Sequence, residues 1–267
     1  MYSDDLTQRG LVLLGCGKMG SAMLQGWLAG GLPAGSVTVL DPAPSDWVKG
    51  TGVAINTDLP PEPAVALLAV KPQMMGEALP RLSAMGGGAT MFLSIAAGTP
   101  ISAFEAAFGP QAPIIRAMPN TPAAVGRGIT AIVGNAKATS AHLDLAEGLL
   151  RAIGEVVRLE NEGQIDAVTG VSGSGPAYVF HMIEAMAAAG RAEGLPDELA
   201  MRLARATVSG AGELAHQAEE SAEQLRINVT SPQGTTEAGL NVLMKELPDL
   251  MQRTVHAATA RAKELSK

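Results

Sequence analysis

Leu11-Val12-Leu13-Leu14-Gly15-Cys16-Gly17-Lys18-Met19-Gly20 is an unbroken apolar run that ends on three glycines spaced G-x-G-x-x-G, and a helical stretch follows from Met19 to Leu28, closed by Gly30-Gly31. An apolar run of this length predicts a strand buried on both faces, as in a covered parallel sheet. At the turn, Gly15 permits the sharp reversal, Gly17 lets backbone approach a pyrophosphate, and Gly20 allows the helix to pack closely on the strand. The free amides of the helix start then face the anion. Strand, glycine turn and helix in that order point to a dinucleotide loop, with Gly15, Cys16, Gly17, Lys18, Met19 and Gly20 as cofactor-binding candidates. A structural glycine turn and the glycine loop of a methyltransferase-type sheet are the other uses of the pattern.

Outward from this loop the same alternation continues. Val37–Leu40, Val53–Ile55, Val65–Val70, Met91–Ile95, Ile114–Ala117 and Ile129–Val133 read as further strands, separated by helical stretches. That order predicts an α/β domain with a mostly parallel sheet. Asp41 closes the second strand about 20 residues after the glycines, where a carboxylate accepts hydrogen bonds from ribose hydroxyls and repels a 2′-phosphate. No arginine stands beside it and Lys49 is the nearest cation, so Asp41 favours NADH as an acceptable or preferred donor. An Asp-Pro turn without ligand contact is the alternative. Ala69-Val70-Lys71-Pro72, Ala96-Ala97-Gly98 and Met118-Pro119-Asn120-Thr121-Pro122 end the fourth, fifth and sixth strands, at the sheet edge where open α/β folds bind ligands. Lys71, before a proline, reads as a solvated or backbone-orienting residue rather than a catalytic cation.

After Glu160 the strand pattern stops and Ala/Leu/Met-rich helical segments take over at Ala177–Arg191, Asp197–Glu219 and Pro248–Leu265. The chain therefore divides into residues 1–160, a dinucleotide-binding domain, and 161–267, a helical domain. Phe180, Ile183, Met186 and Ala187 recur at helical spacing while Ala185, Ala188 and Ala189 fill the opposite face, so this helix calls for burial on several sides. The simplest cover is a second copy, a homodimer.

The remaining composition excludes more than it assigns. A net charge of −7 without a Lys/Arg cluster argues against nucleic acid. Cys16 is the only cysteine and no Cys/His pair has zinc spacing, so neither disulfide nor metal is expected and a cytoplasmic location is. Apolar runs fall short of the roughly 18 residues of a membrane span, and residues 1–10 lack a signal-peptide pattern. His142, His181, His216 and His256 lie outside every motif, and the methionines read as core fillers.

Two longer segments carry a family likeness: Asp166-Ala167-Val168-Thr169-Gly170-Val171-Ser172-Gly173-Ser174-Gly175-Pro176-Ala177-Tyr178, and Asn228-Val229-Thr230-Ser231-Pro232-Gln233-Gly234-Thr235-Thr236-Glu237-Ala238-Gly239-Leu240. With the glycine loop, Ala69–Pro72 and Met118–Pro122, they resemble pyrroline-5-carboxylate reductase from about Leu11 to Leu265. Gln233 departs from the family, which usually has a second glycine there. The resemblance implies a Rossmann domain holding NAD(P)H, and a helical domain that dimerises by interlacing, with larger rings of dimers in some members. It also implies cofactor contacts at Asn56, Ala69, Val70, Lys71, Pro72, Ala96, Ala97 and Gly98, and substrate contacts at Ser231, Gly234, Thr235 and Thr236, with Glu219 and Asn228 near the same pocket.

The substrate implied is a cyclic imine bearing a carboxylate, reduced to L-proline. Hydroxyls and backbone amides of the Ser-Pro-Gln-Gly-Thr-Thr segment suit that carboxylate without a cation, and Thr236 is the candidate for a catalytic hydrogen bond to the ring nitrogen. A capped helix start is the structural reading of the same residues. No motif contains a histidine, which fits an iminium already electrophilic before binding. The competing readings are a hydroxyacid dehydrogenase of the 6-phosphogluconate dehydrogenase type and a non-catalytic nucleotide sensor. The former needs a Gly-x-x-Lys helix, and no lysine occurs between Lys137 and Lys245. The latter has no use for a carboxylate-binding segment.

Overall fold

The computed structural model of the chain describes residues 2–266. It divides into two compact units, Met1–Gly173 with Ala258–Lys267, and Ser174–Ala257.

In the first unit, eight strands form one sheet in the order β3-β2-β1-β4-β5-β6-β7-β8. They are β1 (Leu11–Leu14), β2 (Val37–Leu40), β3 (Ala54–Ile55), β4 (Val65–Leu68), β5 (Met91–Ser94), β6 (Ile114–Met118), β7 (Gly128–Gly134) and β8 (Gly154–Arg158). All neighbours pair in parallel except β6 with β7. The mostly parallel sheet expected from the apolar runs is present. The eighth strand is not among the expected ones: β8 is an edge strand whose residues are largely exposed, so it lacks the apolar run that betrays the others.

Side chains alternate between the two faces along each strand. Leu11, Leu13, Val37, Val39, Val65 and Leu67 join one core cluster with Met23, Leu24 and Trp27 of α2 (Lys18–Ala29), which follows α1 (Asp4–Arg9), and with Leu149 and Leu150 further along the chain. Val12, Leu14, Ala66, Leu68 and Phe92 join the other, with Met75, Leu82, Phe104 and Phe108. Burial on both faces is why these strands read as continuous hydrophobic runs rather than alternating ones. Met75 lies on α4 (Met75–Ala78), Phe104 and Phe108 on α5 (Ile101–Phe108), Leu149 and Leu150 on α6 (Ser140–Leu150), and Leu82 on a 3-10 helix, Leu79–Met85, while α3 (Asp46–Lys49) adds Val48 and α7 (Ile165–Val168) adds Ile165. The Trp27 indole donates to the Leu149 carbonyl at 2.8 Å, and the Phe92 and Phe108 rings stack with centroids 3.7 Å apart. A π-helical turn, Thr169–Gly173, follows α7.

The second unit is helical: α8 (Gly175–Ala192), α9 (Asp197–Gln217), α10 (Ala222–Asn228) and the start of α11 (Thr235–Leu265), whose residues from Ala258 belong to the first unit. Two details depart from the sequence expectation. The last helix begins at Thr235 rather than Pro248, which lies inside it; 30 well-patterned residues outweigh one missing amide. The helix α10 was not anticipated, being a short segment started by the Ser221 side chain, which accepts the Gln224 amide. Among the described residues, no helix is long and apolar enough to cross a membrane.

Candidate functional site

The strand order reverses at β1, with β2 on one side and β4 on the other. In open α/β sheets the crevice outside the carboxyl ends at such a switch point receives the ligand. Three predicted loops lie there. Gly15 leaves β1 with φ +89, a conformation glycine adopts freely, and its amide donates to the Leu40 carbonyl at 2.8 Å. A β-carbon on Gly15 would sit 2.9 Å from the Ala69 carbonyl oxygen and 2.8 Å from the Val70 side chain; one on Gly20 would sit 2.6 Å from the Gly15 oxygen. Close packing of the turn, the helix and the end of β4 thus excludes any side chain at both positions.

Gly17 differs from its neighbours. It is the N-cap of α2, no side chain caps that helix, and a β-carbon there would meet nothing within 4 Å. The open space and uncapped amides fit a pyrophosphate on the helix start. Lys18 is exposed, Met19 half-buried. Cys16 is buried, and burial chiefly pushes its thiol up from the ordinary range; Asp41 adds to that, and the hydrogen bond between the thiol and Ser21 opposes it. It is a thiol rather than a reactive thiolate.

Asp41 is committed to the loop. One carboxylate oxygen accepts the Cys16 amide at 2.6 Å and the other the Ala43 amide at 2.8 Å. Asn56, itself at φ 53, clasps the Asp41 backbone from the next strand end: its Oδ1 accepts the Asp41 amide at 3.0 Å and its Nδ2 donates to the Asp41 carbonyl at 2.8 Å. Ala69 and Val70 are half-buried beside the glycine turn, while Lys71 and Pro72 are exposed at the start of a short 3-10 helix, Pro72–Met74. Ala96 is buried, Ala97 exposed, and Gly98 turns at φ +74 with the Leu265 carbonyl of α11 3.1 Å from its would-be β-carbon.

Two polar links join residues far apart in the chain, and the sequence does not reveal either pairing. Buried Arg116 of β6 meets Glu162 at 2.7 Å, and the same Glu162 oxygen accepts the Ile101 amide at the start of α5. Asn120, 9 % exposed, accepts the Ile129 amide at 3.0 Å and donates to the Ser172 carbonyl at 3.2 Å.

In the second unit, Ser231, Thr235 and Thr236 are exposed and their hydroxyls make no hydrogen bond among the described residues. By contrast, Thr169 bonds the Ile165 carbonyl, Ser172 the Val168 carbonyl, and Thr230 the Arg226 carbonyl. The Gly234 amide bonds back to the Ser231 carbonyl, and the Gln233 amide donates to Glu237 at 2.7 Å. Neither of these two amides is free for a ligand. Gln233 keeps the left-handed backbone, φ 57, that suits a glycine. Asn228 ends α10, its side chain engaged by Gln224 at 2.8 Å, and Glu219 is exposed in the link before α10. Among the described residues, no group of three His, Cys, Asp or Glu side chains is placed to hold a metal ion.

Comparisons with known proteins bear on the chain as a whole. Residues 162–265 match the family model for pyrroline-5-carboxylate reductase dimerisation, and residues 10–98 match that for coenzyme F420-dependent NADP oxidoreductases. The chain is 37 % identical over 264 residues to the pyrroline-5-carboxylate reductase of Pseudomonas aeruginosa, covering 96 % of this chain and 97 % of that protein. A solved reductase of the same kind from Coxiella burnetii superposes with a TM-score of 0.92 at 35 % identity, covering 97 % of this chain and 99 % of that one. The pyrroline carboxylate reductase of Plasmodium falciparum, solved with NADP bound, gives a TM-score of 0.82 at 27 % identity over 98 % and 99 %.

Proposed function

The chain belongs to the pyrroline-5-carboxylate reductase family, homodimeric NAD(P)H-dependent oxidoreductases that act on a C=N bond in proline biosynthesis, and from that premise we propose how its own residues divide the work. Gly15–Gly20, with Ala69–Pro72, Ala96–Gly98 and Asn56, hold the cofactor. The open helix start at Gly17 is the place for the pyrophosphate. NAD(P)H, when bound, supplies the hydride.

The observation that carries the substrate assignment is the set of three uncommitted hydroxyls at Ser231, Thr235 and Thr236 around the start of α11. A carboxylate accepts hydrogen bonds from such hydroxyls, and a helix N-terminus adds favourable partial charge. Ser231 and Thr235 bind the carboxylate, with Gly234, Asn228 and Glu219 shaping the same end. The Thr236 hydroxyl holds the ring nitrogen, so that the imine carbon is presented in one orientation.

Asp41 sets the cofactor choice. Its carboxylate, fixed by the Cys16 and Ala43 amides, leaves a negative charge beside the adenosine ribose, which accepts hydroxyls and repels a 2′-phosphate. NADH is therefore the preferred donor. Assembly of dimers into larger rings and a cytoplasmic location belong to the same reading, the latter resting on the lone cysteine.

The test follows nicotinamide absorbance with 1-pyrroline-5-carboxylate and either NADH or NADPH. Turnover is expected with both, faster with NADH. Thr236→Val should lower kcat by roughly tenfold or more while cofactor affinity stays near that of the parent; equal loss of cofactor binding removes Thr236 from the substrate role.

A further inference from the structure

Within the first unit, the loop after β6 and the π-turn are separated by 52 residues in sequence yet joined through one side chain. The reason lies in the backbone of the π-turn. In a regular helix the Ser172 carbonyl would accept the amide of residue 176, but that residue is Pro176, which has no amide and whose ring crowds the carbonyl four residues back. A π-turn at Thr169–Gly173 is one way a helix absorbs such a break. It leaves the Ser172 carbonyl in need of a donor, and the donor is Asn120 Nδ2 at 3.2 Å.

The orientation of the Asn120 amide follows from chemistry. The Ile129 amide can only donate and the Ser172 carbonyl can only accept, so Oδ1 must face the first and Nδ2 the second. Packing adds a second constraint: a β-carbon on Gly173 would lie 2.7 Å from the Met118 terminal methyl. The π-turn is thus tied to the carboxyl edge of the sheet by the Asn120 hydrogen bond, with the Met118 methyl in the space a side chain at position 173 would need, next to the end of β5 that carries Ala96–Gly98.

We propose that Asn120 is a positioning residue of the reductase, which fixes the π-turn against the carboxyl end of β6 and so sets the backbone beside the cofactor-holding strand ends. The proposal rests on the assignment of catalysis to that sheet edge. It requires no contact between Asn120 and substrate. A displacement of reacting groups by about an ångström is enough to cost one or two orders of magnitude in rate.

Steady-state kcat and KM, a fluorescence titration of NADH and a melting temperature are measured on the dimeric protein. Asn120→Asp keeps an oxygen for Ile129 and removes the donor to Ser172. It should lower kcat roughly tenfold with NADH binding nearly unchanged. Pro176→Ala returns an amide to the Ser172 carbonyl, so in that background Asn120→Asp should cost several times less of the remaining kcat. A purely structural Asn120 would lower the melting temperature and leave kcat and KM at parental values, which overturns the proposal; so would an equal kcat loss in both backgrounds. If Asn120→Asp fails to fold, Asn120→Ala, which removes the same donor without burying a charge, takes its place, and a parental kcat in that variant overturns the proposal equally. Absence of turnover in the parent would count against the reductase reading itself, separately from the role of Asn120.

Discussion

Gln233 shows how one residue can be legible in sequence and still need coordinates to interpret. Its place where a glycine is usual could be seen; its φ of 57 shows that the backbone kept the left-handed turn and accepted a β-carbon there. Such a residue costs on the order of 1–2 kcal/mol in that region, and the Glu237 carboxylate, accepting the Gln233 amide at 2.7 Å, helps hold it. Gln233→Gly should relieve the strain, partly offset by the greater freedom of glycine in the unfolded chain, for a net gain of about 0.5 kcal/mol. The check is a melting temperature one or two degrees higher, on the order expected for a domain of this size; a lower melting temperature would mean the turn is not strained. Arg116, Glu162 and Asn120 lie at the other extreme. Their partners are 46 and 52 residues away; the Met118–Pro122 loop was marked by its sequence, but none of these pairings was, because a polar link across a fold is a property of topology rather than of spacing.

At the scale of elements, legibility follows burial. The strands β1, β2, β4, β5 and β6 were readable because both their faces are covered, whereas β8, mostly exposed at the edge, was not. The start of α11 is not legible because Pro248 looks like a boundary, yet it lies inside a continuous, longer helix. Helix α6 offers a test of how an element is held. Thr139 caps it, and the third residue, His142, returns the favour by accepting the Thr139 amide through Nδ1 at 3.1 Å. Only an unprotonated Nδ1 can accept. Burial chiefly holds the His142 pKa below its ordinary 6.5, with a backbone hydrogen bond at Lys137 opposing. A histidine depressed on folding contributes stability that is present above about pH 6.5 and fades as the pH drops through its folded value. His142→Glu supplies a carboxylate that accepts the same amide and suits the helix start. Between about pH 7.5 and pH 5.5 the parent should therefore lose more melting temperature than this variant; parallel pH profiles would show that the capping histidine is not the titrating group.

For the whole molecule the decisive feature is what the helical unit leaves uncovered. Within α8 and α9 only Ala187, Ala200 and Ala204 are buried, while Phe180 is 59 % exposed and Leu199, Leu203 and Leu214 are 43 %, 47 % and 54 % exposed. The apolar surface of these helices thus exceeds what they bury in each other, and large exposed patches of this kind mark an association surface. The sequence carried this much, since helices apolar on several faces need cover, and membership of the dimerising family identifies the cover as a second copy. The positions at the interface could not be read from the sequence, because small and large apolar residues occur on every face. Leu199 and Leu203 lie one turn apart, so they share a stripe that a partner can cover in one contact. If that contact supplies much of the unit's core, folding and association are linked, and the melting temperature should rise with protein concentration. Leu203→Glu places a charge in the stripe. It should shift sedimentation from dimer to monomer, abolish the concentration dependence and remove most of the activity. A Leu203→Glu protein that still sediments as a fully active dimer would place the partner on another face.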